Sequence, residues 1–303
     1  MKQFVKTSRK LKVAVAIATR GRPEIVAGVV LQLKLQTLQA DSIFVVGANA
    51  SDVARVQAEA GNINVVVGRA GLCHQRNDAL ALIGDHYDCV VFFDDDFVPS
   101  RFWIERMVEI FEAHPTLAGM SGSILDDGTT TAGIDFGDAV SLVELKDNSN
   151  APRTPIAESF AFGSNVGCNM AYRVSAIRGL RFDENLPRYA WLEDSDMRGQ
   201  VQRNGLFAKV TDLWGVHMGQ KNGRLSGVML GYSQVANSLY LAQKGTVPRV
   251  YLARVMSKNI AANMLRSFAP EPYVDRRGRL KGNLMALRDL VRGKMSPNRI
   301  LEM

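Results

Sequence analysis

Three consecutive carboxylates, Asp94, Asp95 and Asp96, follow directly on the apolar run Cys89 to Phe93, with Pro99 and Ser100 just beyond them. Such a run reads as a strand buried on both faces. The acids then fall at its carboxyl end, the edge at which open α/β sheets bind ligands. Carboxylates so close together repel one another unless a cation or hydrogen-bond donors compensate them. A divalent metal would do so, and oxygen ligands favour Mg²⁺ or Mn²⁺ over zinc; the alternative is an acidic turn with no ligand. A second cluster, Trp191, Glu193, Asp194 and Asp196, opens a helix that ends near Asn204 and Gly205. Acids in a first turn complement the helix dipole whatever their use. Beside a Trp they also have the composition of an acceptor pocket, where the ring stacks on a sugar and a carboxylate takes a hydroxyl proton. His217 stands between Gly215 and Gly219 in what reads as a loop. It is a candidate metal ligand, although a lone His is more often structural.

The elements that must position these groups alternate. Lys12 to Ala18 reads as a strand and Glu24 to Leu38 as a helix; Ser42 to Gly47 is a second strand, followed by a helix capped at Ser51 and running to Ala60. A third strand over Ile63 to Val67 leads through Gly68 to Asn77 into a helix containing Ala79 to Ile83, and the acidic strand is fourth. A helix over Arg101 to His114 and a fifth strand over Leu117 to Ile124 continue the series. This spacing predicts an α/β fold, a Rossmann-type mostly parallel sheet with helices on both faces. Residues 125–158, rich in Gly, Thr, Asp, Asn, Ser and Pro, read as a long excursion over the sheet's carboxyl edge, with room for a hairpin. Small residues in Phe160 to Arg173 would let the backbone approach a ligand closely. A short helix over Val174 to Gly179 and a strand over Phe207 to Thr211 complete the unit.

The chain has 303 residues, 47% hydrophobic and 22% charged, enough for one large domain or one with an appendage. No apolar run reaches the roughly 18 residues of a membrane span, and the first residues lack a signal peptide's apolar core. A cytoplasmic protein is therefore expected, with Cys73, Cys89 and Cys168 as free thiols. The net charge of +7 is unevenly spread: residues 221–303 hold 15 of the 37 Lys and Arg but 4 of the 30 Asp and Glu, leaving 22 against 26 before them. Such segregation suggests an acidic partner surface, lipid or nucleic acid. In Gly282 to Met295 the residues Leu284, Leu287, Val291 and Met295 recur on one helical side, flanked by Arg288 and Arg292. That pattern turns the expectation to a helix lying on an anionic membrane, with no nucleic acid partner; its alternative is a helix packed on the rest of the protein. The expected division is 1–225 and a basic helical C-terminal appendage, 226–303.

Taken in order, Thr19 to Pro23 after strand one, Gln75 to Asn77 before the acidic strand, Phe93 to Pro99, Gly167 to Met170, Glu193 with Asp194, and His217 resemble family 2 glycosyltransferases of the GT-A fold. The likeness spans roughly residues 12–220, with a nucleotide-sugar half at about 12–124 and an acceptor half at about 125–225. It implies inverting transfer of a sugar, hexosyl in type, from a nucleoside diphosphate donor to a hydroxyl of a glycan or lipid-linked acceptor. The donor nucleotide is UDP by default, with dTDP or GDP open, and Mn²⁺ or Mg²⁺ bridges the diphosphate. The setting would be bacterial surface or exopolysaccharide biosynthesis, in the cytoplasm or peripheral on the inner face of its membrane. Carried over residue by residue, Asp96 looks like the metal ligand of the family's Asp-x-Asp motif and His217 matches an extra ligand found in some members. Asp94 looks like the nucleotide contact, with Asp95 between; Thr19, Arg20, Arg22 and Arg76 fall on the donor side, where Arg76 could neutralise a phosphate or pair with the base. Asp194 is similar to the general base, with Glu193 beside it, and Trp191 and Asn169 fall on the acceptor side. One departure concerns the nucleobase. The family usually has two acids after its second strand, where this chain has Val46 to Asn49, so Asn49 or Asp52 would have to substitute.

Other classes fit less of the chain. Asp94, Asp96 and Val98 also match the string of haloacid-dehalogenase-like phosphatases, but there the motif follows the first strand and here three strands precede it. A sugar nucleotidyltransferase would call for a Gly-rich, basic phosphate loop after strand one. A non-enzymatic basic membrane-binding module accounts for the C-terminal charge alone.

Overall fold

The computed structural model describes residues 10–56, 61–149, 167–222 and 225–303. Eight strands, β1 (Val13–Thr19), β2 (Ser42–Gly47), β3 (Ile63–Val67), β4 (Cys89–Asp94), β5 (Phe97–Pro99), β6 (Leu117–Asp127), β7 (Asn169–Arg173) and β8 (Leu206–His217), form one sheet in the order β3-β2-β1-β4-β7-β6-β8-β5. The β3-β2-β1-β4 half is parallel throughout. β7 runs antiparallel to both β4 and β6, β6 is parallel to β8, and β5 is antiparallel to β8.

Alternation along the strands sorts side chains into two layers. Val15, Ile17, Val45, Val91 and Phe93 face α1 (Pro23–Leu33), α3 (Trp103–Ala113) and α4 (Phe136–Asp147). Ala14, Ala16, Phe44, Val90 and Phe92 face α2 (Leu72–Ile83), α5 (Val174–Ile177) and α6 (Glu193–Val201). Both faces are buried, as an apolar parallel sheet requires. Gln36, just past α1, is buried between elements: its Nε2 donates to the Ser100 carbonyl at 2.6 Å and its Oε1 accepts from Ile104 N–H at 3.0 Å, capping α3.

Three long helices follow the sheet: α7 (Gly227–Lys244), α8 (Arg249–Arg266) and α9 (Arg276–Val291), with a closing 3₁₀ turn at Pro297–Glu302. α7 and α9 touch backbone to backbone where Gly231 and Gly282 face each other's helix; a Cβ on either would stand 2.0 Å from a carbonyl oxygen, Arg279 O or Val228 O. A buried amide knot joins all three helices. Asn263 Nδ2 donates to Gln234 Oε1 and Asn283 Oδ1, both at 2.9 Å, and Arg276 Nη1 donates to Asn263 Oδ1 at 3.2 Å. Leu241 and Leu252 pack into the sheet's second layer. Lys244 Nζ reaches Asp183 at 2.7 Å and Asp196 at 2.8 Å.

Several sequence expectations are corrected. The excursion expected over 125–158 contains α4, started by Asp135, whose side chain accepts from Gly137 N–H. Residues 150–158 lie outside the described residues, as do Phe160 to Val166. In place of the helix capped at Ser51 there is a 3₁₀ turn, Ala50–Val53, capped by Asn49; residues 57–60 are not described. α1 stops at Leu33 because the chain turns so that Gln36 can serve α3. α3 starts at Trp103, since Phe97–Pro99 pairs with β8 as an edge strand before it. β8 runs on to His217, which ends a strand and does not sit in a loop.

Candidate active site

The ends of β1, β4 and β8 meet at one edge of the sheet, bringing Thr19, Asp94 to Asp96 and His217 together. The three acids point in different directions. Asp95 turns back into the protein, accepting from Thr19 Oγ1 at 2.8 Å and from Arg22 Nη1 at 2.7 Å. Burial pushes its pKa up to about 7, against the pull of Arg22. Asp96 Oδ2 accepts from Gln220 N–H at 2.8 Å, and its Oδ1 lies 3.3 Å from His217 Nε2. Burial works against the charge of Asp96, yet His217, Arg22 and that amide hold its pKa down at about 2. The other ring nitrogen, Nδ1, sits 3.0 Å from Asp127 Oδ1. Burial opposes protonation of His217, but the carboxylates of Asp127 and Asp96 outweigh it and raise its pKa to about 10.

Asp94, Asp96 and His217 each present one ligand atom, and these atoms lie within 4.8 Å of one another. With Nδ1 fixed by Asp127, Nε2 faces the Asp96 oxygen, and two lone pairs so opposed call for a proton or a metal between them. Two carboxylates and one imidazole are a donor set that could hold a divalent cation.

Behind this edge, Arg76 on α2 is 2% exposed and its fork is fully engaged. One arm reaches Asp94 at 2.9 Å and the Gly167 carbonyl at 3.2 Å, the other pairs with Glu193, and the guanidinium lies over the rings of Phe92 and Phe182. Arg76, expected to neutralise a phosphate or to pair with the base, links Asp94 at the end of β4 to Glu193, the neighbour of Asp194, at the start of α6. Glu193 is buried in that pair, and desolvation raises its pKa to about 8. Asp194, next to it, is only half-buried and takes Ser195 N–H on Oδ1 at 2.7 Å. Burial shifts its pKa upward as well. Gly167 lies against its side chain.

Two expected contacts are elsewhere. Asn169 is fully buried, its Oδ1 accepting from Gly122 N–H at 2.6 Å, so it locks β7 to β6. Asn49 is exposed and caps its 3₁₀ turn. Asp52, buried, spends its two oxygens on Gly21 N–H at 2.7 Å and Asn49 N–H at 2.9 Å, tying together the loops after β1 and β2.

A cavity of about 850 Å³ opens over the strand ends. Thr19, Arg20, Arg22, Asp94 to Asp96 and His217 line one side, and Arg188, Tyr189 and Trp191 another. Gln234, Asn259, Tyr273 and Arg279 from the C-terminal helices and the turn after α8 form the outer wall. Arg188 and Tyr273 belong to none of the motifs quoted above. Arg188 Nε and Trp191 Nε1 are buried without a hydrogen-bond partner among the described residues. Their segment is strained: Arg188, Ala190 and Leu192 have φ of 59°, 53° and 73°, left-handed values at non-glycine residues. The signal in the sequence was a cation and two aromatics immediately before the acids of α6.

Residues 14–181 match the family model described as glycosyl transferase family 2. No curated protein matches the sequence. Among solved structures, a mannosyltransferase from Pyrobaculum calidifontis in complex with GDP-mannose and Mn²⁺ is 17% identical over 97% of this chain and 86% of that one, with a TM-score of 0.54. Glucosyl-3-phosphoglycerate synthase from Mycobacterium tuberculosis, in complex with Mn²⁺, UDP and glucosyl-3-phosphoglycerate, is 17% identical over 78% and 81%, with a TM-score of 0.51. TarS of S. aureus is 12% identical over 86% of this chain with a TM-score of 0.52, and the match spans only 44% of TarS. At these identities the likeness concerns the GT-A fold.

Proposed function

Because the chain belongs to glycosyl transferase family 2, we propose that it moves a sugar, with inversion, from a nucleoside diphosphate donor to a hydroxyl of a glycan or lipid-linked acceptor, in the cytoplasm. The observation that carries the reading is the convergence of Asp94, Asp96 and His217 on the floor of a cavity large enough for both substrates. Asp96 and His217 would hold Mn²⁺ or Mg²⁺, with Asp94 as third ligand or nucleotide contact. Such a cation supplies Lewis-acid stabilisation of the charge that develops on the leaving diphosphate. Thr19, Arg20 and Arg22 frame the donor side; Arg22 and Thr19 also hold Asp95 away from the metal position.

Asp194 is the base in this reading. Glu193 is committed to Arg76, whereas Asp194 is half-buried and burial raises its pKa above the ordinary carboxylate value, which makes it a stronger base. Trp191 and Tyr189 offer ring faces to the acceptor sugar, and Arg188, whose Nε is buried without a hydrogen-bond partner among the described residues, offers charge to a substrate anion. Helices α7 to α9 supply the outer wall, so the proposed division near residue 225 separates two parts of one working unit. Two neighbours hold GDP-mannose or UDP with Mn²⁺, which supports a nucleoside diphosphate with Mn²⁺; UDP is the default donor, with GDP or dTDP as alternatives.

The test is donor turnover. A panel of nucleotide-sugars is incubated with Mn²⁺ or with chelator, and release of free nucleoside diphosphate is followed. Release from one donor that chelation abolishes is the expected result. No release from any donor with a range of glycan acceptors, or release indifferent to chelator, would overturn the reading.

A further inference from the structure

The stripe expected along α9 divides in the structure. Leu287 and Met295 pack against the C-terminal core, while Leu284 and Val291 remain exposed. The exposed face reads Arg277, Lys281, Leu284, Arg288, Val291, with spacings of four, three, four and three that keep it on one side of the helix. Against it stands the end of α8 and the turn beyond, where Leu265 and Phe268 are exposed; Phe268 is 84% exposed and Val291 88%. Arg277, Lys281 and Arg288, with Phe268, Leu280 and Leu284, line an open groove of about 650 Å³ between the two helices.

The carboxylates of this hairpin are occupied elsewhere. Glu271 is held by Arg266 and Arg276, Asp275 caps α9 through Gly278 N–H, and Asp289 is buried with Tyr232 Oη at 3.1 Å. Among the described residues Arg277 donates only to a carbonyl, that of Ser267, and no carboxylate pairs with Lys281 or Arg288. A solvated helix face has no need of apolar groups standing free between unpaired cations, and nucleic acid offers them nothing to bury in.

We propose that this α8–α9 face docks on an anionic lipid bilayer, with Phe268, Leu265, Leu284 and Val291 entering the interface and Arg277, Lys281 and Arg288 meeting headgroup phosphates. The cation stems lie along the apolar strip while their charges reach outward. Among the described residues no helix is long and apolar enough to cross a membrane, so the proposed attachment is peripheral. The turn between the helices serves two surfaces: Phe268 borders the groove, and Tyr273 the cavity wall. A docked chain therefore holds its cavity beside the bilayer, where a lipid-borne acceptor would arrive. That last consequence rests on the transferase reading; the docking surface does not.

Co-sedimentation of the full chain with phosphatidylcholine vesicles, with and without phosphatidylglycerol, across a NaCl series tests it. Attachment to the phosphatidylglycerol vesicles that weakens with salt is expected. The triple substitution R277Q, K281Q, R288Q should lower partitioning on the order of a hundredfold, since each cation near an anionic leaflet is worth about a factor of five. F268S with V291S should abolish what remains at high salt. Melting temperatures near that of the unaltered chain and unchanged donor turnover in vesicle-free solution show that the variants are folded. Full attachment of the triple variant, equal attachment to neutral vesicles, or no attachment of the unaltered chain overturns the proposal. Retention on nucleic acid or self-association without vesicle binding does so too.

Discussion

Replacing Arg76 by Met tests the internal frame of the site. The side chain is 2% exposed and compensates two acids at once, Asp94 and Glu193. Removing one partner of a buried ion pair typically costs about 3–5 kcal/mol, because the remaining charge is stranded. Met keeps much of the volume, so packing against Phe92 and Phe182 contributes little to the loss. Part of the cost is avoidable by protonation, since burial already places Glu193 at about 8 and removal of Arg76 pushes it higher. The sign follows from linkage: between an unfolded value near about 4.3 and the raised folded one, the native state binds more protons than the unfolded state, so stability falls as pH rises through that window. Urea unfolding of Arg76→Met should therefore show a larger loss at pH 9 than at pH 6, and adding Glu193→Gln should recover part of the loss at pH 9. A loss below about 1 kcal/mol at both values, within the range of an exposed ion pair, would refute the claim that this pair is a buried strut. So would a double variant no more stable than the single one.

Asp96→Ala should abolish Mn²⁺-enhanced nucleotide affinity in a thermal-shift titration while the fold survives; affinity equal to that of the unaltered chain would remove Asp96 from the metal site. Asp95→Asn should be milder there, as Asp95 faces Thr19 and Arg22. Asp194→Asn should lower turnover by a factor on the order of 10²–10⁴ with donor affinity nearly intact, and a larger effect from Glu193→Gln at unchanged stability would move the base. Gly282→Val adds a Cβ at 2.0 Å from the Val228 carbonyl, so it should destabilise by at least the roughly 1–3 kcal/mol of overpacking, read as a fall in melting temperature.

The alternation of strand and helix was legible because the parallel half of the sheet is made of runs such as Val13 to Thr19, apolar on both faces. α4 was not, although Phe136, Ala139, Val140 and Val143 have helical spacing, because Gly, Thr and Asp crowd the residues before it. The register of β8, which delivers His217, depends on pairing with β5 and β6, strands distant in sequence. The same limit applies to the site. Asp94, Asp96 and His217 announce themselves by type and order. Arg76 is legible as a site residue, but its partners are not, because only the fold places Asp94 and Glu193 on either side of it. Asn169 looks like a pocket amide until Gly122 N–H claims its oxygen.

The left-handed backbone at Arg188, Ala190 and Leu192 persists only if its surroundings over-determine it, since such residues cost on the order of 1–3 kcal/mol each. Those surroundings come largely from the C-terminal helices. Asn237, fully buried on α7, donates to the Trp191 carbonyl at 2.9 Å, in the middle of the strained run. Lys244 at the end of α7, and Thr246 just after it, hold Asp196, one turn beyond the start of α6. Upstream, Leu72 N–H holds the Arg188 carbonyl at 2.9 Å. The first turn of α6, and with it Asp194, is thus aimed between α2 on one side and α7 on the other. A helical segment that the charge distribution set apart from the sheet is, in the packed molecule, part of what fixes the direction of the acid proposed as base.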